Sequence, residues 1–145
     1  MQSKIAKNLI FIRLFPGENL YQNLTKVCQK YQIQTAIVLS GLGQLKNFQL
    51  GYFKEKGNYC PQKFRQTCEL LALTGNISRQ QGEYKFHLHA VLAGQDKKAI
   101  GGHLISGTVE TTAEIVLFKS NLKIFRKVEE ISGLEGLFLD DIIKI

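Results

Sequence analysis

The segment Tyr84–Leu104, YKFHLHAVLAGQDKKAIGGHL, guides the interpretation of this chain because it holds all three histidines of the sequence. His87 and His89 stand two positions apart on a predicted strand, so their side chains share one face, roughly 6.6–6.8 Å apart at Cα. A turn after Ala93 would bring the chain back and could deliver His103 to the same place. Three neutral imidazoles with an open fourth position are typical of a zinc site that holds water or a small ligand. The alternative is an ordinary pair of polar strand residues, with His103 elsewhere.

The flanking sequence predicts one helix among several short strands. The helix covers Asn19–Tyr31, where apolar residues at i, i+4, i+7, i+8 and i+11 form one stripe. Pro61–Gln66 is predicted to be a polar connector, and the end of the chain to be a glycine-containing turn followed by an apolar tail. The predicted strands are Asn8–Phe15, Thr35–Leu42, a strand around Phe48–Tyr52, Thr67–Ile77, the histidine strand, Gly101–Val109, Ala113–Lys119 and Leu122–Val128. We therefore predict a single domain over residues 1–145, with an α+β fold built on a mostly antiparallel sheet of about seven strands and one main helix.

Several of these strands are apolar with little alternation, which is typical of a sheet covered on both faces. One helix is too little cover for two faces, so we expect self-association to supply the remainder.

The bulk composition limits the classes of partner. Lys and Arg number 19 against 12 acidic residues, and the resulting formal charge of +7 raises the odds of an anionic partner, nucleic acid included. The basic residues are dispersed, however, so an ordinary basic surface is favoured over a DNA-binding one. No apolar run reaches the roughly 18 residues of a membrane span. Three cysteines without CxxC spacing predict free thiols, and we expect a cytoplasmic protein.

A series of short motifs resembles the plant and prokaryote conserved (PPC) domain family, in its standalone prokaryotic form without an AT-hook. The resemblance extends over about Asn8–Leu139, and its most specific part is HxH followed by GGHL. In chain order the motifs are Arg13 with Gly17-Glu18, Ser40-Gly41-Leu42-Gly43, Glu69–Gly75, His87-Leu88-His89, Gly101–Leu104, Thr112-Ala113-Glu114, and Arg126 with Gly133-Leu134.

The resemblance implies a homotrimer of compact α+β domains, with a fold similar to that of acetolactate decarboxylase. It also implies a divalent metal, most often zinc, on His87, His89 and His103. Members are often described as DNA-binding by association with plant proteins that carry AT-hooks. This sequence contains no AT-hook, and Gln66-Thr67-Cys68 replaces the Gly-Arg-Phe that usually precedes the acid corresponding to Glu69.

Three further residues are candidates around the metal. The second nitrogens of the histidines need carboxylate or carbonyl partners, for which Glu69 and Glu114 are candidates. Arg13 could hold the carboxylate of an anionic ligand in a two-pronged contact, although pairing with Glu18 or another acid is the favoured alternative.

Two functions are consistent with the sequence, and neither comes with an assigned catalytic residue. The first is a trimeric metal-binding regulator that is associated with DNA. The second is a small-molecule enzyme or ligand sensor that uses the metal as a Lewis acid or as a source of bound hydroxide. A purely structural site fits poorly, because three ligands leave a position open.

Overall fold

The computed structural model describes residues 1–139, which form one helix and nine strands. In chain order these are β1 Gln2–Ala6, β2 Leu9–Leu14, α1 Leu20–Lys30, β3 Thr35–Glu55, β4 Asn58–Phe64, β5 Cys68–Gln80, β6 Glu83–Ala93, β7 Ala99–Ser120, β8 Ile124–Val128 and β9 Glu135–Leu139. Seven strands form one antiparallel sheet in the order β1-β2-β7-β6-β5-β3-β4, and β8 pairs with β9 separately. The predicted mostly antiparallel sheet of seven strands with one helix is confirmed.

Helix α1 lies where the apolar stripe predicted it. It begins at Leu20 because the Asn19 side chain caps its first turn, accepting a hydrogen bond from the backbone N–H of Gln22 at 3.0 Å. Its buried residues include Leu24 and Val27, which are fully inaccessible to solvent and pack into the main core. Burying a leucine or valine side chain contributes roughly 1.5–3 kcal/mol, so this stripe holds the helix on one face of the sheet.

Strands β3 and β7 are each continuous where the sequence predicted two separate strands. Register shifts between Val38 and Ser40, and between Gly43 and Leu45, bend β3 without ending it. Gly43 has a φ of +142°, and a Cβ there would lie 2.1 Å from the Thr112 carbonyl oxygen. Glycine at position 43 therefore permits the close backbone contact between β3 and β7. Because β3 pairs with β5 and β7, and β6 joins those two, the four strands close into a ring of pairings.

The prediction for Pro61–Gln66 is wrong, because most of that segment belongs to β4. Pro61 lies opposite Gly51 of β3, on a strand at the end of the sheet order. An edge strand tolerates proline, whose missing N–H can face away from the ladder. Strand β1 was not predicted at all. It pairs with β2 and leaves β2 inside the sheet, the position expected for a strand that is apolar on both faces.

At the end of the described chain, the predicted glycine-containing turn is followed by β9, which pairs with β8 as a hairpin. Phe125 of β8 and Phe138 of β9 are register partners, and their rings stack with centroids 5.9 Å apart. The rest of the predicted apolar tail, residues 140–145, lies outside the described residues. Within residues 1–139, the single helix is too short and too polar to cross a bilayer.

An apolar part of the large sheet is exposed to solvent. Phe118 of β7 lies opposite Leu9 of β2 on one side and Ile37 of β3 on the other, so the three side chains form a row across the sheet. The exposed fractions of Phe11, Ile37 and Leu39 are 54%, 46% and 52%. This is the kind of uncovered face that the sequence predicted, and it bears on assembly.

Candidate metal centre

The three histidines meet at the junction of β6 and β7. His89 and His103 are direct register partners, and His87 lies two residues before His89 on the same face of β6. The predicted turn after Ala93 produces this pairing, because it returns the chain as the adjacent antiparallel strand. One ring nitrogen from each histidine can be chosen such that all three lie within 4.8 Å of one another. The sequence prediction that the turn delivers His103 to the pair therefore agrees with the backbone register.

The spacing of these nitrogens fits a shared metal ion. The Nε2 atoms of His87 and His89 are 3.2 Å apart. Two nitrogens bound at about 2.0–2.1 Å to one tetrahedral zinc ion lie about 3.3–3.4 Å apart, so this pair is already close to ligating geometry. Ring centroids of the three pairs are 5.2, 5.4 and 5.6 Å apart, and the rings are tilted towards or perpendicular to one another. Three imidazole donors also suit zinc chemically.

The electrostatics of the site favour neutral imidazoles, the form that binds metals. Partial burial lowers the pKa of His87, and the nearby positive charge of Arg126 and the ring of His89 lower it further. Burial likewise lowers the pKa of His103, with smaller contributions from His87 and His89. A lowered pKa leaves the ring nitrogen lone pairs free of protons at neutral pH.

Two glycines make room for the site. Gly51 of β3 is the register partner of His103, and a Cβ on it would lie 1.8 Å from the Tyr59 hydroxyl oxygen. Tyr59 can therefore lie across Gly51, with its ring edge-on to His103 at a centroid distance of 6.4 Å. A Cβ on Gly102 would lie 2.8 Å from the Gly51 carbonyl oxygen. Glycine before His103 is thus required by the close approach of β7 to β3.

The histidines open into a cleft of about 970 Å³ whose opposite side is the β8–β9 hairpin and the turn within it. Four charged side chains line the cleft, namely Lys85, Arg126, Glu129 and Glu135. Lys85 and Glu135 form an ion pair at 3.6 Å, half exposed to solvent. Because the metal would sit at the wall of this cleft, its open position faces a space of the size that small-molecule sites occupy.

Arg126 is a buried residue of the cleft that the sequence did not assign to the site. It was counted among the dispersed basic residues, yet only 7% of it is exposed. Its backbone N–H donates to the Gln80 side-chain oxygen at 2.7 Å, and the Gln80 amide donates back to the Arg126 carbonyl at 3.1 Å. Its guanidinium donates to Asn76 Oδ1 and, at 3.5 Å, to the carbonyl oxygen of Glu135. The sequence feature that could have identified Arg126 as a site residue is its place in the family motif Arg126 with Gly133-Leu134.

Glu69, Glu114 and Arg13 lie elsewhere in the sheet. Glu69 is opposite Ala93, four residues along β6 from His89, and accepts a hydrogen bond from Gln44 at 2.8 Å. Glu114 lies eleven residues along β7 from His103 and is the register partner of both Arg13 and Leu42.

The alternative partner proposed for Arg13 is also engaged elsewhere. The Glu18 carboxylate accepts from the N-terminal ammonium at 2.6 Å and from the Phe15 backbone N–H at 2.8 Å. The Arg13 guanidinium instead lies over the Phe15 ring, 5.3 Å from its centroid. The structure therefore does not bring the three candidates to the histidines.

Comparison with known proteins places this geometry in a family. The sequence profile of the Plants and Prokaryotes Conserved (PCC) domain matches residues 1–121, which include all three histidines. The chain belongs to this family. PCC and PPC are two abbreviations of one name, and the family resemblance drawn from the motifs is confirmed.

Solved PPC-like structures share the fold along almost the whole chain. A plant- and prokaryote-conserved protein of Pyrococcus horikoshii is 31% identical, with a TM-score of 0.78 over 95% of this chain and 97% of that one. A metal-containing protein of Archaeoglobus fulgidus is 26% identical, with a TM-score of 0.81 over 94% and 96%. A candidate DNA-binding protein of Bacteroides thetaiotaomicron is 25% identical, with a TM-score of 0.88 over 95% and 96%.

Two curated relatives that are much longer than this chain also match most of it. Two proteins of Synechococcus sp. named bifunctional protein GlmU are 34% identical over 110 residues, which is 75% of this chain. The matched segment is 16% and 17% of the two relatives, so the chain spans about one sixth of their length. The similarity is therefore to a small part of those proteins.

Proposed function

We propose that this PPC domain is a metal-binding protein whose centre, a zinc ion on His87, His89 and His103, binds a small molecule in the adjoining cleft. The observation that carries the proposal is the convergence of three imidazole nitrogens within 4.8 Å at the wall of a large open cleft. A structural zinc site is closed by four protein ligands, whereas three ligands leave a position for water or a ligand. The Archaeoglobus relative contains a metal, which supports metal binding by this chain.

The residues of the cleft divide the work between metal and protein. When bound, zinc supplies a Lewis acid and lowers the pKa of a bound water, which serves a sensor or an enzyme alike. Tyr59 is our candidate hydrogen-bond donor to a molecule at the metal, because it lines the cleft with its ring edge-on to His103 and a phenol keeps its proton at neutral pH. Glu129 lines the far side and is the cleft carboxylate that does not face Lys85 in an ion pair.

We further propose that the domain functions as a homotrimer in the reducing cytoplasm. The row formed by Leu9, Phe118 and Ile37 continues an exposed apolar face, which a monomer leaves in water and a second copy can cover. Cys28, Cys60 and Cys68 are free thiols, as in proteins of a reducing compartment. The similarity to acetolactate decarboxylase stays a prediction that rests on the family resemblance.

A zinc titration tests the metal proposal. Metal-free wild type competing with a chromophoric chelator should take up one zinc ion for each chain, and His103→Ala should weaken the affinity at least about 10-fold, because even indirect supports of a metal are worth 10–100-fold. Lys97→Ala, a change in the exposed β6–β7 turn, is the matched control and should keep wild-type affinity. Equal zinc affinities of wild type and His103→Ala would refute the site.

The second candidate function is that of a DNA-associated regulator. It is favoured by the formal charge of +7 and by the candidate DNA-binding relative from Bacteroides. Binding of this kind would weaken steeply with salt and would fall when surface lysines are replaced, while His103→Ala would leave it unchanged. A fluorescence anisotropy titration of duplex DNA at two salt concentrations distinguishes it from small-molecule binding, which depends on the metal.

A further inference from the structure

The Arg126 guanidinium is a buried cation whose hydrogen bonds all go to neutral oxygens. Within residues 1–139 it forms no direct ion pair; the charge of Glu135 acts on it, but the Glu135 carboxylate pairs with Lys85. A guanidinium has five N–H donors, and the contacts with Asn76 and with the Glu135 carbonyl use only two of them. A cation buried to this extent without a direct ion pair is costly, and an anion that accepts from its remaining donors would reduce that cost.

The position of Arg126 couples it to the metal centre. Asn76, which accepts from the guanidinium, is the direct register partner of His87, so the two side chains project from neighbouring strands on one face. Arg126 and all three histidines line the same cleft. A divalent ion on the histidines would add a second positive centre to the same cleft. A single ligand with two anionic groups would neutralise both positive centres, the metal ion and the Arg126 guanidinium.

Backbone hydrogen bonds fix the position of Arg126 before any ligand binds. The paired hydrogen bonds with the Gln80 side chain fix the Arg126 backbone to the end of β5. A recognition group that is ordered before binding loses less entropy when the ligand arrives.

We propose that Arg126 is the specificity-determining residue of the cleft and that the ligand is a small dicarboxylate. One carboxylate takes the open position of the metal, and the other accepts a two-pronged contact from the guanidinium, a geometry that arginine matches and lysine does not. This inference rests on the proposed metal site. Inorganic phosphate, which is compact and has a single anionic centre, is the competing ligand chemistry and enters the test as such.

The test measures malonate binding to the zinc-loaded protein by isothermal titration calorimetry. Arg126→Gln should weaken malonate affinity at least about 10-fold, the loss expected for hydrogen bonds to a charged group. Zinc content, measured on the same samples, should remain at the wild-type level. Lys97→Gln is the matched control, since Lys97 is an exposed cation outside the cleft, and it should change the affinity by less than about threefold.

Two further arms keep the test decisive if Arg126→Gln fails to fold, as judged by circular dichroism. Arg126→Lys keeps the charge and loses the fork, so malonate affinity should still fall. Malonamide, which has the shape of malonate without its charges, should not bind to wild type.

Each contrary result has one meaning. Wild-type malonate affinity in zinc-loaded Arg126→Gln would overturn the role of Arg126 and leave the metal site standing. Binding of phosphate but not malonate would overturn the dicarboxylate assignment. Failure of wild type to take up zinc would instead refute the function on which the inference rests.

Discussion

Replacing Gly75 with alanine should destabilise the sheet beneath the metal centre far more than the same change at Gly82. Both glycines have positive φ values, +145° and +86°, so both substitutions carry a backbone cost of about 1–3 kcal/mol. Only Gly75 adds a steric cost. A Cβ there would lie 2.0 Å from the His87 carbonyl oxygen, whereas a Cβ on Gly82 meets nothing within 4 Å.

The size of the difference follows from the strand pairing. Gly75 lies opposite Leu88, between the two histidines of β6, so relieving the overlap moves β5 and β6 apart by about 1.5 Å to reach an ordinary van der Waals contact. Ladder hydrogen bonds with N···O distances near 2.9 Å do not survive such a shift. Losing two or three of them, at about 1 kcal/mol each, adds about 2–3 kcal/mol to the backbone cost.

Urea unfolding of metal-free protein, at one protein concentration for all samples, measures this difference. A single concentration is required because the stability of an oligomer depends on it. Gly75→Ala should lower the free energy of unfolding by about 3–6 kcal/mol and Gly82→Ala by about 1–3 kcal/mol, with Gly75→Ala the larger by about 2–3 kcal/mol. Unfolding free energies of the two variants within about 0.5 kcal/mol of each other would show that β5 and β6 do not pair closely at Gly75. The register that places His87 and His89 on either side of Gly75 would then be wrong as well.

Two other predictions concern assembly and pH. Phe11→Lys should convert the proposed trimer to monomers in analytical ultracentrifugation while circular dichroism stays unchanged, because Phe11 is 54% exposed on the apolar face. Ile131→Lys, at a turn residue that is 94% exposed, is the control, and a monomeric wild type would contradict the account. Burial raises the pKa of the Cys28 thiol from 9.0 to about 12, so the folded state keeps the neutral thiol and its stability falls as pH rises from 9 towards 12. Between about pH 8.5 and pH 10.5, wild type should lose about 2 kcal/mol more than Cys28→Ala in urea unfolding, and equal losses would show that Cys28 is accessible to water.

Much of the fold followed from local patterns in the sequence. The apolar stripe and the cap residue Asn19 predicted α1 within a residue at each end, since a helix period and a capping side chain are both local signals. The joins within β3 and β7 were missed for the opposite reason. A bulge such as that between Gly43 and Leu45 depends on what the neighbouring strand presents, so it reads in sequence as the end of a strand.

The same distinction, between local signals and contacts with distant parts of the chain, applies to the residues of the candidate site. His87, His89 and His103 could be grouped from sequence because period two and one turn are enough to bring them together. Arg126 could not, because its burial depends on the β8–β9 hairpin returning to Gln80 and Asn76, contacts 46 and 50 residues away in sequence. Glu69 and Glu114 were selected for being acids within apolar runs, a pattern that carries no information about which strand lies alongside.

X-ray absorption spectroscopy at the zinc edge tests the central claim most directly. The zinc-loaded protein should show a shell of nitrogen or oxygen ligands at about 2.0–2.1 Å with the outer scattering of three imidazole rings, reduced to two rings in His103→Ala. Sulfur ligands at about 2.3 Å, or fewer than three rings in wild type, would contradict a metal centre built on His87, His89 and His103.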